Sequence, residues 1–190
     1  MELTLDTITH TVAHHKARRM SHPEMTSAAV LVPLILHNDG LHLLLTKRTD
    51  SVEHHKGQIS FPGGMSDPGD PTAIDTALRE TDEELGIPPS FISILGTIDD
   101  IRIPTGFVVT PVIGYIASLP PFRINADEVA EAFQIPFSVF FNPSVRRSEL
   151  RELRGMKRQV YYYDVWKEPV WGATAAIIKQ FTDLLSRGKH

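Results

Sequence analysis

The chain has 190 residues, 42% of them apolar and 22% charged, a balance that fits one globular domain with its own core. It has a net charge of −4 and no cysteine. That excludes a disulfide framework, a thiolate metal site and a cysteine nucleophile, and it argues against affinity for nucleic-acid backbones.

Residues 1–20 read as a polar amphipathic helix carrying His10, His14 and His15. Residues 1–25 are expected to form an N-terminal helical extension of a single domain spanning 1–190. His10 and His14 have the i, i+4 spacing that can bind a metal on a helix, but no third ligand stands nearby in sequence, so a solvated face is the better reading. The segment Met1–Arg19 has no apolar core of the kind a secretory leader needs. The longest apolar stretch, Ala28–Leu36, contains Pro33 and is too short to cross a bilayer. A cytoplasmic protein with no membrane partner is the expectation.

Ala28–Leu36 and Leu41–Thr46 are rich in Val, Leu and Ile, and His37-Asn38-Asp39-Gly40 between them is a hairpin signal. After the mixed stretch Lys47–Lys56, Gly57–Gly64 reads as a short strand entering a glycine-rich turn. Asp70–Leu85 reads as a helix, with Asp70 as its cap, Pro71 at the first position and Gly86 past its end. Strands are expected at Phe91–Ile98 and Phe107–Ala117, with a loop at Pro120-Pro121. A short helix is expected at Ala126–Phe133, a strand at Gln159–Trp166 and a closing helix at Ala173–Leu185. The run Arg146, Arg147, Arg151 and Arg154, mixed with Glu149 and Glu152, reads as a solvated helix face.

The informative segment is Arg79-Glu80-Thr81-Asp82-Glu83-Glu84-Leu85-Gly86-Ile87. At about 100° per residue, Glu80, Glu83 and Glu84 share a sector of about 100°. Ala77, Leu78, Thr81 and Leu85 fall beside that sector, so the acidic face borders the packed one, while Asp82 points away. Three like charges on a half-sheltered face repel one another. Arg79 can pair with Glu83, but one arginine does not neutralise three carboxylates, and a divalent cation with hard oxygen preferences can. Gly63 and Gly64 permit a tight turn and leave a backbone carbonyl open to a metal.

These residues resemble the Nudix hydrolase box, with Gly64, Arg79, Glu80, Glu83, Glu84, Gly86 and Ile87 matching in type and order. Asp70 stands where the box has its first Glu, one residue further from Arg79, and Thr81 replaces an aliphatic residue. A second segment, Leu44–Arg48 followed by Gly57–Asp67, is similar to the upstream motif of the coenzyme A pyrophosphatase branch, in which the longer box also occurs. Glu53 stands where that branch usually has Arg.

The resemblance implies an α/β (α+β) fold, an α/β/α sandwich with a mixed sheet between helices. It implies a metal-dependent hydrolase that cuts the pyrophosphate of coenzyme A or acyl-coenzyme A. Mg²⁺ or Mn²⁺ would be held by Glu80, Glu83, Glu84 and the Gly64 carbonyl. Glu80, Glu84, Arg79 and Glu128 are the catalytic candidates, with Glu80 and Glu128 competing for the role of base. Glu128 has an equal second reading, because Asn125-Ala126-Asp127-Glu128 fits a helix capping box. Arg48, Gly57, Phe61 and Phe107 are the substrate-binding candidates: Arg48 as a phosphate clamp, Phe107 either stacking on adenine or filling core. Of His54 and His55, adjacent on an extended segment, at most one faces a site. The partner is a small coenzyme A-like nucleotide, and a homodimer is compatible with the sequence. Two alternatives stay open: a hydrolase of another nucleoside diphosphate such as ADP-ribose or a dinucleotide, and a non-catalytic nucleotide-binding module.

Overall fold

The computed structural model describes residues 3–49, 57–121, 123–153 and 155–187. Its elements in order are α1 (Leu5–His14), β1 (Thr26–His37), β2 (Gly40–Arg48), β3 (Ile59–Ser60), β4 (Gly63–Met65) and α2 (Ala73–Leu85). Then come β5 (Ser93–Thr97), β6 (Ile101–Ile103), β7 (Phe107–Ile116), β8 (Val129–Pro136), β9 (Arg146–Leu153), β10 (Met156–Tyr163), β11 (Val170–Trp171) and α3 (Gly172–Arg187).

β1 and β2 form the expected hairpin, with His37 opposite Gly40 and Leu34 opposite Leu43. Beyond Leu34 the two strands part, and β3 and β4 enter the gap. β3 pairs with β2 through Thr46 and Ser60, and β4 pairs with β1 through Ala29 and Gly64. On its other edge β1 runs parallel to β7 over its whole inner length, so the sheet is mixed. β1 is apolar on both sides because both faces are covered. Ala29, Leu31 and Ile35 join one cluster with Ala77, Leu85 and Ile87 of the α2 region. Ala28, Val32 and Leu34 join another with Ile8 and Val12 of α1 and Ile177, Ile178 and Phe181 of α3. The arrangement is an α/β/α sandwich, as expected. No described helix is long and apolar enough to cross a membrane.

Three sequence expectations are corrected. Ala126–Phe133 is not a helix: Val129–Pro136 is strand β8, paired antiparallel with β2 from His42 to Arg48. The outer edge of β2 would otherwise leave buried backbone groups unpaired, and that non-local demand outweighs the local helix pattern. The basic run is also a strand: β9 forms a hairpin with β10 through a turn at Gly155, which has φ +75. Arg147, Glu149 and Arg151 alternate onto one face, where both arginines bond Glu149 and cover the Tyr162 ring. Helix α2 begins after Thr72, whose side chain accepts from the Ile74 and Asp75 amides. Asp70 therefore does not cap it. β6, a short partner of β7, went unforeseen.

Candidate active site

The site is built where β4 crosses under α2. Gly63 has φ +149, and a Cβ there would strike the Ala29 carbonyl and the Val30 backbone. Only glycine lets β4 lie this close to β1. Gly64 faces the helix, and a Cβ on it would come within 2.5 Å of the Glu80 carboxyl group. The paired glycines thus bring backbone directly against the glutamate face.

On α2, Thr76, Ala77, Thr81, Glu84 and Leu85 are buried. The acidic sector does border the packed one, and Glu84 falls on the buried side of the border. Arg79 joins the helix to the loop before it. Its Nη1 donates to Glu80 Oε1 and to Glu83 Oε2, both at 2.9 Å. Its Nη2 donates to the Met65 carbonyl at 3.0 Å and to Asp70 Oδ2 at 2.9 Å. The hydrogen bonds from Arg79 hold the Asp70 carboxyl well below the usual carboxylate range. Asp70, expected as a cap, is an anchor for Arg79 instead.

The glutamates differ in electrostatic state. Glu83 is exposed. Glu80 is half-buried, and desolvation raises its pKa against the opposing pull of Arg79. Glu84 is 1% exposed. Among the described residues its hydrogen bonds come from Arg48 Nη1 and the Gly63 amide, both at 3.4 Å and therefore weak. Burial pushes its pKa up to about 8, with Arg48 lowering it and Glu80 raising it. A carboxylate this enclosed and this poorly supplied with donors is short of positive charge.

Glu128 is brought to the same place, since its charge raises the pKa of both Glu80 and Glu84. It is not part of a helix capping box, because no helix follows. Its Oε1 accepts from the Asn125 side chain at 3.2 Å. The turn that carries it is tied to α2, whose last carbonyls, Glu84 and Leu85, accept from the Asn125 and Arg123 amides. A cleft of about 330 Å³ opens beside this turn, lined by Asp82, Glu83, Gly86, Arg123 and Asn125.

Arg48, at the end of β2, reaches the glutamates, and Gly57 lies next to it, before the Gln58 carbonyl that accepts the Arg48 amide. Phe61, expected as a substrate contact, is 2% exposed, and its ring joins the cluster on the α3 face. Phe107 packs against that same cluster, on the opposite face of the sheet from α2. Glu53, His54 and His55 lie outside the described residues. The sequence reading missed the role of Asp70 as anchor, the Gly63 amide as a donor to Glu84, and Asn125 as the link between α2 and Glu128. The acid nine residues before Arg79 was the visible signal for the first.

The chain matches the NUDIX domain family over residues 25–137. It is 42% identical over 157 residues to a protein of Pectobacterium atrosepticum described as an uncharacterized Nudix hydrolase NudL, with 83% of this chain and 81% of that protein covered. A protein of the same description from Yersinia pestis is 38% identical over 159 residues, covering 84% of this chain and 79% of that one. The crystal structure of the MutT protein from Methanosarcina mazei Go1 shares the fold, with a TM-score of 0.56 at 18% identity over 89% of this chain and 100% of that one.

Proposed function

Because the chain belongs to the Nudix hydrolase family and is a pyrophosphohydrolase, we propose that the diphosphate it cuts is that of coenzyme A or an acyl-coenzyme A. Water would add to one phosphorus and the P–O–P bridge would break, giving 3′,5′-ADP and (acyl-)4′-phosphopantetheine. The support is the upstream motif, Leu44–Arg48 with Gly57–Asp67: its β4 part packs on the glutamate helix, and its Arg48 reaches Glu84.

Hydrolysis of a diphosphate needs charge stabilisation on phosphoryl oxygens and a positioned water. The donor set fits Mg²⁺ or Mn²⁺, being all oxygen and, at the buried Glu84, poorly supplied with hydrogen-bond donors. Glu80, Glu83, Glu84 and the Gly64 carbonyl would hold the ions. When bound, such ions neutralise phosphate charge and make a coordinated water more acidic. The chain's own groups do the rest. Arg79 fixes Glu80 and Glu83 in place through its bond to Asp70. Arg48 grips a phosphate oxygen. Glu128 or Glu80 takes the proton from the attacking water.

The observation that carries the metal-and-water reading is Glu84, 1% exposed and pushed up to about 8. Glu53, in place of the usual arginine, favours a second reading, a hydrolase of another nucleoside diphosphate such as ADP-ribose or a dinucleotide. Incubation with coenzyme A, ADP-ribose and a dinucleotide in competition, with Mg²⁺ or Mn²⁺, separates them by mass spectrometry. Dominant 3′,5′-ADP supports the first reading, and preference for another substrate discards it. Cleavage of none of the three would favour the binding module.

The same proposal takes residues 1–190 as one cytoplasmic catalytic domain, with 1–25 as its N-terminal extension. Ile8 and Val12, packed in the core cluster with α3, support that reading.

A further inference from the structure

A second group of metal-ligating side chains stands at the far end of the same hairpin. His37, Asp39 and His42 each offer one ligand atom within 4.8 Å of the others. The backbone explains the convergence. Ile35 and His42 are directly opposite in the β1–β2 register, so His37, two residues on from Ile35, shares the face of His42. Asp39 lies in the turn between them. The two imidazole rings are 4.4 Å apart, and Asp39 Oδ2 is 3.6 Å from His42 Nε2.

The hydrogen bonds around the rings preset the tautomers. His42 Nδ1 lies 3.3 Å from the Gly40 carbonyl, and His37 Nε2 lies 2.6 Å from the Gln134 amide oxygen of β8. Oxygen acceptors of this kind require the ring nitrogen to carry the proton. Each ring then presents its other nitrogen as a lone pair, Nε2 on His42 and Nδ1 on His37. Metal-binding histidines use the same outer arrangement, giving the second N–H to a carbonyl or carboxylate.

We propose that the β1–β2 turn binds one Zn²⁺ through His37, Asp39 and His42, with the fourth position open to water. Two imidazoles and one carboxylate suit Zn²⁺ and disfavour Mg²⁺, which prefers an all-oxygen shell. Tetrahedral Zn²⁺ at about 2 Å from each ligand needs donors about 3.3 Å apart. Asp39 and His42 are close to that already, and Asp39, exposed in the turn, can close the remaining gap while Gln134 holds the His37 ring. Arg48 lies six residue steps along β2 from His42, about 20 Å of strand. The site is therefore remote from the glutamates. It would act as a clip on the hairpin, joined to β8 through Gln134.

The test is Zn²⁺ binding by calorimetry, with excess Mg²⁺ present to occupy the glutamates, and Co²⁺ absorption as a readout of geometry. The wild-type chain should bind Zn²⁺ with a tetrahedral Co²⁺ spectrum. His37→Ala and Asp39→Asn, both at exposed positions, should weaken Zn²⁺ binding at least about 10-fold. Glu84→Gln and a His10→Ala, His14→Ala double variant should keep it. Equal binding in wild type and His37→Ala would overturn the proposal, as would loss of binding in the His10, His14 variant alone. Turnover of any diphosphate is not part of the readout, so this result stands apart from the substrate question.

Discussion

Among the described residues, two places bury carboxylates, and they treat them oppositely. Asp99 and Asp100 lie under the segment after α1, where they are almost saturated with donors. Asp99 accepts from the Arg18 amide at 3.0 Å, Arg18 Nε at 2.8 Å and His15 Nε2 at 2.7 Å. Asp100 accepts from Arg19, the Met20 amide and Thr110 at 2.7–2.8 Å. Burial would raise the Asp99 pKa, but the bonds from Arg18 and His15 outweigh it and bring it to about 2. Glu84, more deeply buried at 1% exposure against 8% for Asp99, has two weak donors at 3.4 Å and sits at about 8. Deeper burial and a poorer supply of donors together set Glu84 apart: Asp99 locks the N-terminal segment to the sheet, and Glu84 keeps an unmet demand for a cation.

The contrast is sharpest in stability. Asp99→Ala removes the acceptor of three hydrogen bonds, from the Arg18 amide, Arg18 Nε and His15, and should cost about 3 kcal/mol, read by denaturant unfolding. A loss under 1 kcal/mol would mean the lock is ornamental.

The two acids also predict opposite pH arms for the metal-free protein. Asp99 is depressed when folded, so its contribution is full above its unfolded pKa and fades as pH falls toward about 2. Glu84 is raised when folded, so stability should fall as pH climbs from its unfolded value to about 8, by on the order of 3 kcal/mol. Glu84→Gln should flatten that alkaline arm, and added Mg²⁺ should do so in the wild type with release of protons. An unchanged slope in Glu84→Gln would remove the case for a strained acid.

In turnover, Glu84→Gln should lose about 100-fold or more in kcat/KM, roughly 2.7 kcal/mol of barrier, while remaining folded. Gly64→Ala should cost about 10-fold, roughly 1.4 kcal/mol, because its Cβ displaces the flexible end of Glu80 and not backbone. Circular dichroism separates it from Gly63→Ala, whose Cβ meets the backbone of β1 and should impair folding. The smallest effect is expected at Thr72→Ala, which removes the α2 cap for about 1 kcal/mol and leaves kcat unchanged. A large loss of activity there would mean the helix start takes part in the chemistry.

Much of the site was legible in the chain because it is local. Three glutamates at spacings of 3 and 4 residues share a helix face whatever that helix packs against. The Asp39-Gly40 turn, the closing helix and the Arg79–Glu83 pair follow from the same short-range rules. The misread parts are those that depend on distant partners. Ala126–Phe133 carries an acceptable helix pattern, yet Val129–Pro136 is a strand because β2 needed an edge partner. Arg146–Leu153 became a strand because residues after Gly155 fold back on it. Asp70 looked like a cap and was taken by an arginine nine residues on.

By itself, then, the sequence determined the identity and angular placement of the charged groups, since helix geometry and turn chemistry act over a few residues. Only the tertiary structure decided which acids would be satisfied and which left wanting. That depends on which backbone amides and arginines arrive from elsewhere in the chain, as Arg18 does at Asp99 and, among the described residues, no close donor does at Glu84.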